Sequence, residues 1–135
     1  MSQTSNKEEI PAIIFAHGDL GKSLKGAIEG MIGECADFHA VSNAGAGPED
    51  IEIRLQTAFH EYKDFDSVFL FVDLFGSSCW KAAKLLAWKN KNTRIITGVN
   101  LPMLLSFFTK RGRFSSDDLE YEVRMAGKRG IEGKG

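Results

Sequence analysis

Four short apolar runs, separated by amphipathic stretches, set the rhythm of the chain. Ala12-Ile13-Ile14-Phe15-Ala16 is continuously apolar and stops at His17-Gly18, the pattern of a parallel strand buried on both faces. Leu24, Ala27, Ile28, Met31 and Ile32 then recur at helical spacing, and Gly33 is placed to end that helix. Phe38 to Val41 predicts a second strand. Asn43 to Gly47 reads as a loop, and Pro48, followed by Glu49 and Asp50, suits the first turn of a helix. Ile51, Leu55, Ala58, Phe59 and Tyr62 line its inner face. Ser67 to Val72 is the clearest buried strand; it ends at Asp73, and Gly76-Ser77-Ser78 opens a helix carrying Trp80, Ala83, Leu86 and Ala87 on one side. Arg94 to Val99 predicts a fourth strand, Asn100-Leu101-Pro102 a turn into the apolar Met103 to Phe108, and a last helix begins near Ser116.

Strict alternation of apolar strands with helices predicts an α/β domain. The expected architecture is a doubly wound, mainly parallel four-stranded sheet with helices on both faces. Residues 10–129 form that single domain, 1–9 are a polar, disordered tail, and 130–135 a flexible or edge-strand end. The near all-round apolar character of Met103 to Phe108 suits burial on two sides, in the core and at a dimer interface.

Composition narrows the function classes. With 17 Lys+Arg against 18 Asp+Glu, the net charge is −1, and no basic stripe of the kind that nucleic acids demand is present. The polar start lacks the apolar core of a signal peptide, and no apolar run is long enough to span a bilayer. The expected location is therefore the cytoplasm. Cys35 and Cys79 form no CxxC pair, and His17, His39 and His60 lack the clustered spacing of a metal site. Neither a metal nor a cofactor is expected. His39 and His60 read as structural or surface residues, and Cys79 as a packing residue near a helix start.

Open parallel sheets bind ligands beyond the carboxyl ends of their strands. His17 follows the first strand, Asp73 ends the third and Asn100 follows the fourth, so all three belong to one edge. A carboxylate bound to one imidazole nitrogen fixes the tautomer and leaves the other nitrogen a nucleophilic lone pair. The carboxylate also stabilises the charge that develops on the ring. If the electrophile is a phosphoryl group, its oxygens need donors. Backbone N–H groups of the Gly18 to Gly21 loop and of the helix beginning near Ser78, with the Ser78 hydroxyl, are suitable.

Three segments resemble those of one family. Ile13-Ile14-Phe15-Ala16-His17-Gly18, Phe71-Val72-Asp73-Leu74-Phe75-Gly76-Ser77-Ser78 and Gly98-Val99-Asn100-Leu101-Pro102-Met103-Leu104 look, in that order, like the signature segments of mannose/fructose/sorbose-type enzyme IIA. These are components of the phosphoenolpyruvate-dependent sugar phosphotransferase system. The resemblance covers roughly Ile13 to Ser106. It implies that His17 is phosphorylated on Nε2 by the phosphohistidine of the carrier protein HPr, with Asp73 on the Nδ1 side. Ser78 stands where the family has a serine close to the phosphoryl group; Gly18 and Ser77 are expected to bind the phosphate with it, and Leu74, Phe75, Asn100 and Pro102 to border the site or a partner surface. The phosphate would pass to an enzyme IIB and on to a sugar at a membrane permease, so that membrane contact is indirect. No metal is implied at the IIA step. A homodimer with an exchanged C-terminal strand is also implied.

The chain departs from the pattern at Gly76-Ser77-Ser78-Cys79, where many relatives read Gly-Gly-Ser-Pro, and at its glycine-rich end, a poor candidate for an exchanged strand. It shows no attached IIB domain. Two other functions fit the same residues: a regulatory phosphocarrier without a transport role, and a ligand-binding domain in which His17 is a contact only. A phosphotransfer subunit serving dihydroxyacetone matches the His17-Gly18 and Asn100-Leu101-Pro102-Met103 segments less well.

Overall fold

The computed structural model describes residues 9–134. Its elements run β1 (Ala12–Ala16), α1 (Leu20–Ile32), β2 (Phe38–Ser42), α2 (Pro48–His60), β3 (Val68–Val72), α3 (Ser78–Lys89), β4 (Thr93–Thr97), α4 (Leu101–Lys110) and α5 (Ser116–Arg129). The element order is the one the apolar rhythm predicts. β4 ends two residues earlier than expected, because Gly98 takes a positive φ of 73° and turns the chain out of the sheet. Asn100 to Pro102, expected as a turn, instead opens α4: Asn100 caps the helix and Pro102 stands in its first turn.

All strand pairings are parallel, in the order β2-β1-β3-β4. No fifth strand is present among the described residues: Gly130 to Lys134 is irregular, with few apolar side chains to hold it on an edge. The tail expected over 1–9 lies outside the described residues except for Glu9, whose carboxylate is 3.1 Å from the buried Arg111.

Two apolar layers sandwich the sheet. Because β1 and β3 are central, every one of their residues is buried, and alternate side chains feed opposite layers. Ile14, Phe69 and Phe71 meet Ile28 of α1, Leu104 and Phe107 of α4 and Val123 of α5. Ile13, Phe15, Leu70 and Val72 meet Leu55 of α2 and Ala83 and Leu86 of α3 on the other face. Each such side chain, when fully buried, contributes roughly 1.5–3 kcal/mol. Met103, Leu104 and Phe107 are buried and Leu105 and Phe108 half-buried, so α4 serves the core as expected. No helix among the described residues is long and apolar enough to cross a membrane.

The connection from β1 runs outward to β2, and the next returns across β1 to β3. The direction of winding therefore reverses between β1 and β3, and their carboxyl ends open a crevice at that switch point.

Candidate functional site

His17 is the first residue beyond β1, and Asp73 the first beyond β3. The last ladder pair is Phe15 with Val72; past it, side-chain chemistry replaces the ladder. Asp73 Oδ2 accepts both the His17 backbone N–H, at 3.0 Å, and ring Nδ1, at 2.8 Å. An ionised carboxylate only accepts, so Nδ1 carries the proton and Nε2 keeps its lone pair. Nε2 has no hydrogen-bond partner among the described residues. The His17 side chain is 46% exposed and that of Asp73 11%. The carboxylate is therefore mostly buried and the ring about half exposed.

Gly18 takes a φ of 56°, a left-handed conformation that costs glycine little and lets the chain turn sharply after the histidine. Its N–H donates to Asn43 Oδ1 at 3.1 Å, so this expected phosphate donor is engaged within the chain. Of the expected Gly18 to Gly21 loop, Leu20 and Gly21 belong to α1. Asn43 comes from the loop after β2, which Arg54 braces by donating to the carbonyls of Ser42 and Ala44, both at 2.8 Å. The sequence places Asn43 in a strand-to-helix loop on this sheet edge, where it could border a partner surface; its side chain instead holds the Gly18 N–H. A polar amide just past a predicted strand end, on the same edge as His17, was the available signal.

The loop after Asp73 carries Leu74 and Phe75, 62% and 70% exposed, an apolar rim that water alone does not explain. Phe75 leans on Trp80 at 4.6 Å between centroids. Gly76, at φ 84°, turns the chain into α3. Ser77 caps that helix, its Oγ accepting from Trp80 N–H at 3.2 Å, while its own O–H remains to donate. Ser78 is exposed, and the first N–H groups of α3 have no intrahelical acceptor. A phosphate beside this helix start meets the positive end of the dipole.

The structure groups these residues unevenly. Asn43 holds the N–H of Gly18, the residue after His17, and α3 reaches the pair through Cys79 in its first turn. Cys79 Sγ, His17 and Asp73 offer donor atoms all within 4.8 Å of one another, the one such trio among the described residues. Cys79 is fully buried, and burial, followed by the charge of Asp73, pushes its thiol up to about 11. Its place near a helix start, which favours a thiolate, is outweighed. Asn100 and Pro102 lie on the same sheet edge but serve the α4–α5 packing. Asn100 accepts from Met103 N–H at 3.0 Å and reaches Gly127 O at 3.4 Å. Pro102 sits so close to Gly130 that a Cβ there would lie 2.5 Å from its Cγ.

The family described as PTS system fructose IIA component matches residues 12–123. The PTS system sorbose-specific EIIA component of Klebsiella pneumoniae is 31% identical over 110 residues, 82% of this chain and 81% of that protein. The fructose-specific EIIA component of Bacillus subtilis (strain 168) is 29% identical over 111 residues, 82% of this chain and 76% of that one. Phosphotransferase system component EIIA from Streptococcus agalactiae, a crystal structure, superposes with a TM-score of 0.84. It is 26% identical, with 92% of this chain and 96% of that chain covered. The mannose/sorbose specific IIA subunit from Enterococcus faecalis shares the fold at a TM-score of 0.83 and 17% identity, over 95% and 96% of the two chains. With most of its domain matched, the chain belongs to the fructose IIA component family of the sugar phosphotransferase system.

Proposed function

We propose that His17 is the phosphoryl carrier of this component, receiving phosphate on Nε2 from phospho-HPr and delivering it to an enzyme IIB for sugar uptake. The observation that carries this reading is the asymmetry of the imidazole. Nδ1 is held at 2.8 Å by a carboxylate that is mostly buried, and the Nε2 side of the ring is open. Attack by the Nε2 lone pair forms a P–N bond as the bond to the donor imidazole breaks, and that imidazole leaves with its electron pair. Keeping Nδ1–H makes the phosphorylated ring cationic, and Asp73 offsets that charge. Ser77, Ser78 and the N–H groups that open α3 supply donors to the phosphoryl oxygens. Transfer onward reverses the same steps.

Leu20, Leu74 and Phe75, exposed around the crevice, suit the docking of a protein donor and acceptor rather than a small molecule. Homodimer assembly and a cytoplasmic location belong to the same reading. The test is intact mass after incubation with phosphoenolpyruvate, enzyme I and HPr. One acid-labile phosphate per chain, lost again on adding a cognate IIB, is the expected result. A chain that stays unphosphorylated by a donor able to charge a related IIA removes the carrier role.

A further inference from the structure

We propose that His17, Asp73 and Cys79 form a binding site for a thiophilic divalent cation of the Zn²⁺ type, and that its occupancy and phosphorylation of His17 exclude one another. The donor set is one imidazole nitrogen, one carboxylate oxygen and one sulfur, all within 4.8 Å. Nitrogen with sulfur suits Zn²⁺ and its neighbours, whereas Mg²⁺ and Ca²⁺ prefer an all-oxygen shell. Asp73 supplies a second, independent observation. Its Oδ2 accepts two hydrogen bonds, but Oδ1 is shut away from solvent and has no partner among the described residues. A buried carboxylate oxygen without a donor is costly, and a cation offsets that cost. The Cys79 thiol likewise makes no hydrogen bond among the described residues.

Bond lengths near 2.0–2.3 Å place donor atoms on tetrahedral Zn²⁺ roughly 3.3–3.8 Å apart. Binding therefore draws the trio together by about 1 Å from its widest separation. The half-exposed ring leaves the solvent side for entry and for a water as fourth ligand. Coordination displaces the Cys79 proton to solvent. That proton is otherwise firmly held, since burial pushes the thiol up to about 11. If ring Nε2 binds the ion, the nucleophilic lone pair is consumed. If Nδ1 binds it, the ring proton moves to Nε2 and the lone pair is again lost. A phosphorylated Nε2 with Nδ1 protonated has no lone pair to offer, so exclusion runs both ways. The binding claim stands without phosphate acceptance; the exclusion claim rests on the carrier role proposed above.

The experiment titrates the reduced full chain with Co²⁺, reading the thiolate-to-cobalt charge-transfer band, and then displaces Co²⁺ with Zn²⁺. We expect one equivalent, a band that persists in Cys35→Ala and vanishes in Cys79→Ala, and affinity lowered at least about tenfold in His17→Ala, the scale of losing a metal partner. His17→Ala alters an exposed side chain, so its outcome does not depend on core packing. Absence of the band in the wild type, its loss only in Cys35→Ala, or unchanged affinity in His17→Ala would overturn the site. In the second arm, Zn²⁺ should suppress phosphate uptake in wild type and spare Cys79→Ala. Equal suppression in both sinks the exclusion. Failure of phosphate uptake in chelator-treated wild type strikes the carrier role instead, and the cobalt band still decides the metal site.

Discussion

Two histidines, one just past the end of β1 and one on the neighbouring β2, stand beside carboxylates, yet only one keeps a ring nitrogen open. His17 spends Nδ1 on Asp73 and keeps Nε2 open. His39, the second residue of the edge strand β2, spends both nitrogens. Nδ1 meets the Tyr62 hydroxyl at 2.6 Å, and Nε2 lies 3.2 Å from Glu61, whose side chain is 62% exposed. An exposed ion pair of this kind is worth little and orients weakly. The difference is one of position. The switch point buries the carboxylate and exposes the ring, whereas β2 borders solvent and ties the ring down at both ends. A histidine and an acid close together are not enough for the proposed carrier role, which needs a fixed tautomer with a free lone pair.

The largest effect should come from removing the reactive ring. His17→Ala is expected to abolish acid-labile phosphate by intact mass, while His39→Ala accepts it at near wild-type level. Phosphate retained in the first variant, or lost in the second with the fold intact, would exchange their roles. Next, Asp73→Asn should slow phosphate transfer by about 10²-fold or more in a quenched time course, the scale of lost orienting and charge-stabilising effects. A wild-type rate would reduce Asp73 to a strand-end residue.

Asn43→Ala removes the acceptor that holds the Gly18 N–H. About 1 kcal/mol for one such bond corresponds to roughly fivefold in rate, read in the same time course, with little change in Tm. The smallest effect lies at the other histidine. Tyr62→Phe should cost about 0.5–1.5 kcal/mol in urea unfolding and leave phosphate transfer unaltered. Burial, then the charges of Asp37 and Glu61, raise the Tyr62 phenol from 10.0 to about 12. Its stabilising contribution is thus fully present below pH 10 and is lost as pH rises towards about 12. Wild type should therefore lose more stability than Tyr62→Phe as pH rises from 10 to about 12. Parallel losses would show that the phenol keeps its ordinary acidity.

Much of this was legible along the chain because local rules and tertiary demands agree. Five-residue apolar runs such as those holding Ile13 and Phe71, bounded by turn residues, read as strands buried on both faces, and helical spacing after each points to parallel crossovers. Glycines 18 and 76 fall where the chain must turn. His17 and Asp73 could be paired before any coordinates, since parallel strands bring their carboxyl ends to one edge.

What lay beyond the chain's own pattern involves side chains that reach between elements. Asn43 lies 25 residues from Gly18, and no periodicity reports that its amide meets that N–H. Asn100 and Pro102 share the sheet edge with the pair, but the return of α5 enlists them in packing. Cys79 reads as a helix-start cysteine, and only the depth of the α3 first turn decides that its thiol is buried under Asp73 and stays protonated. Backbone architecture follows from the order of apolar and polar residues, because burial acts on every residue of an element at once. Which nitrogen, oxygen or sulfur ends free, bonded or shut from water depends on contacts between residues far apart in sequence, and these are settled only when the layers close.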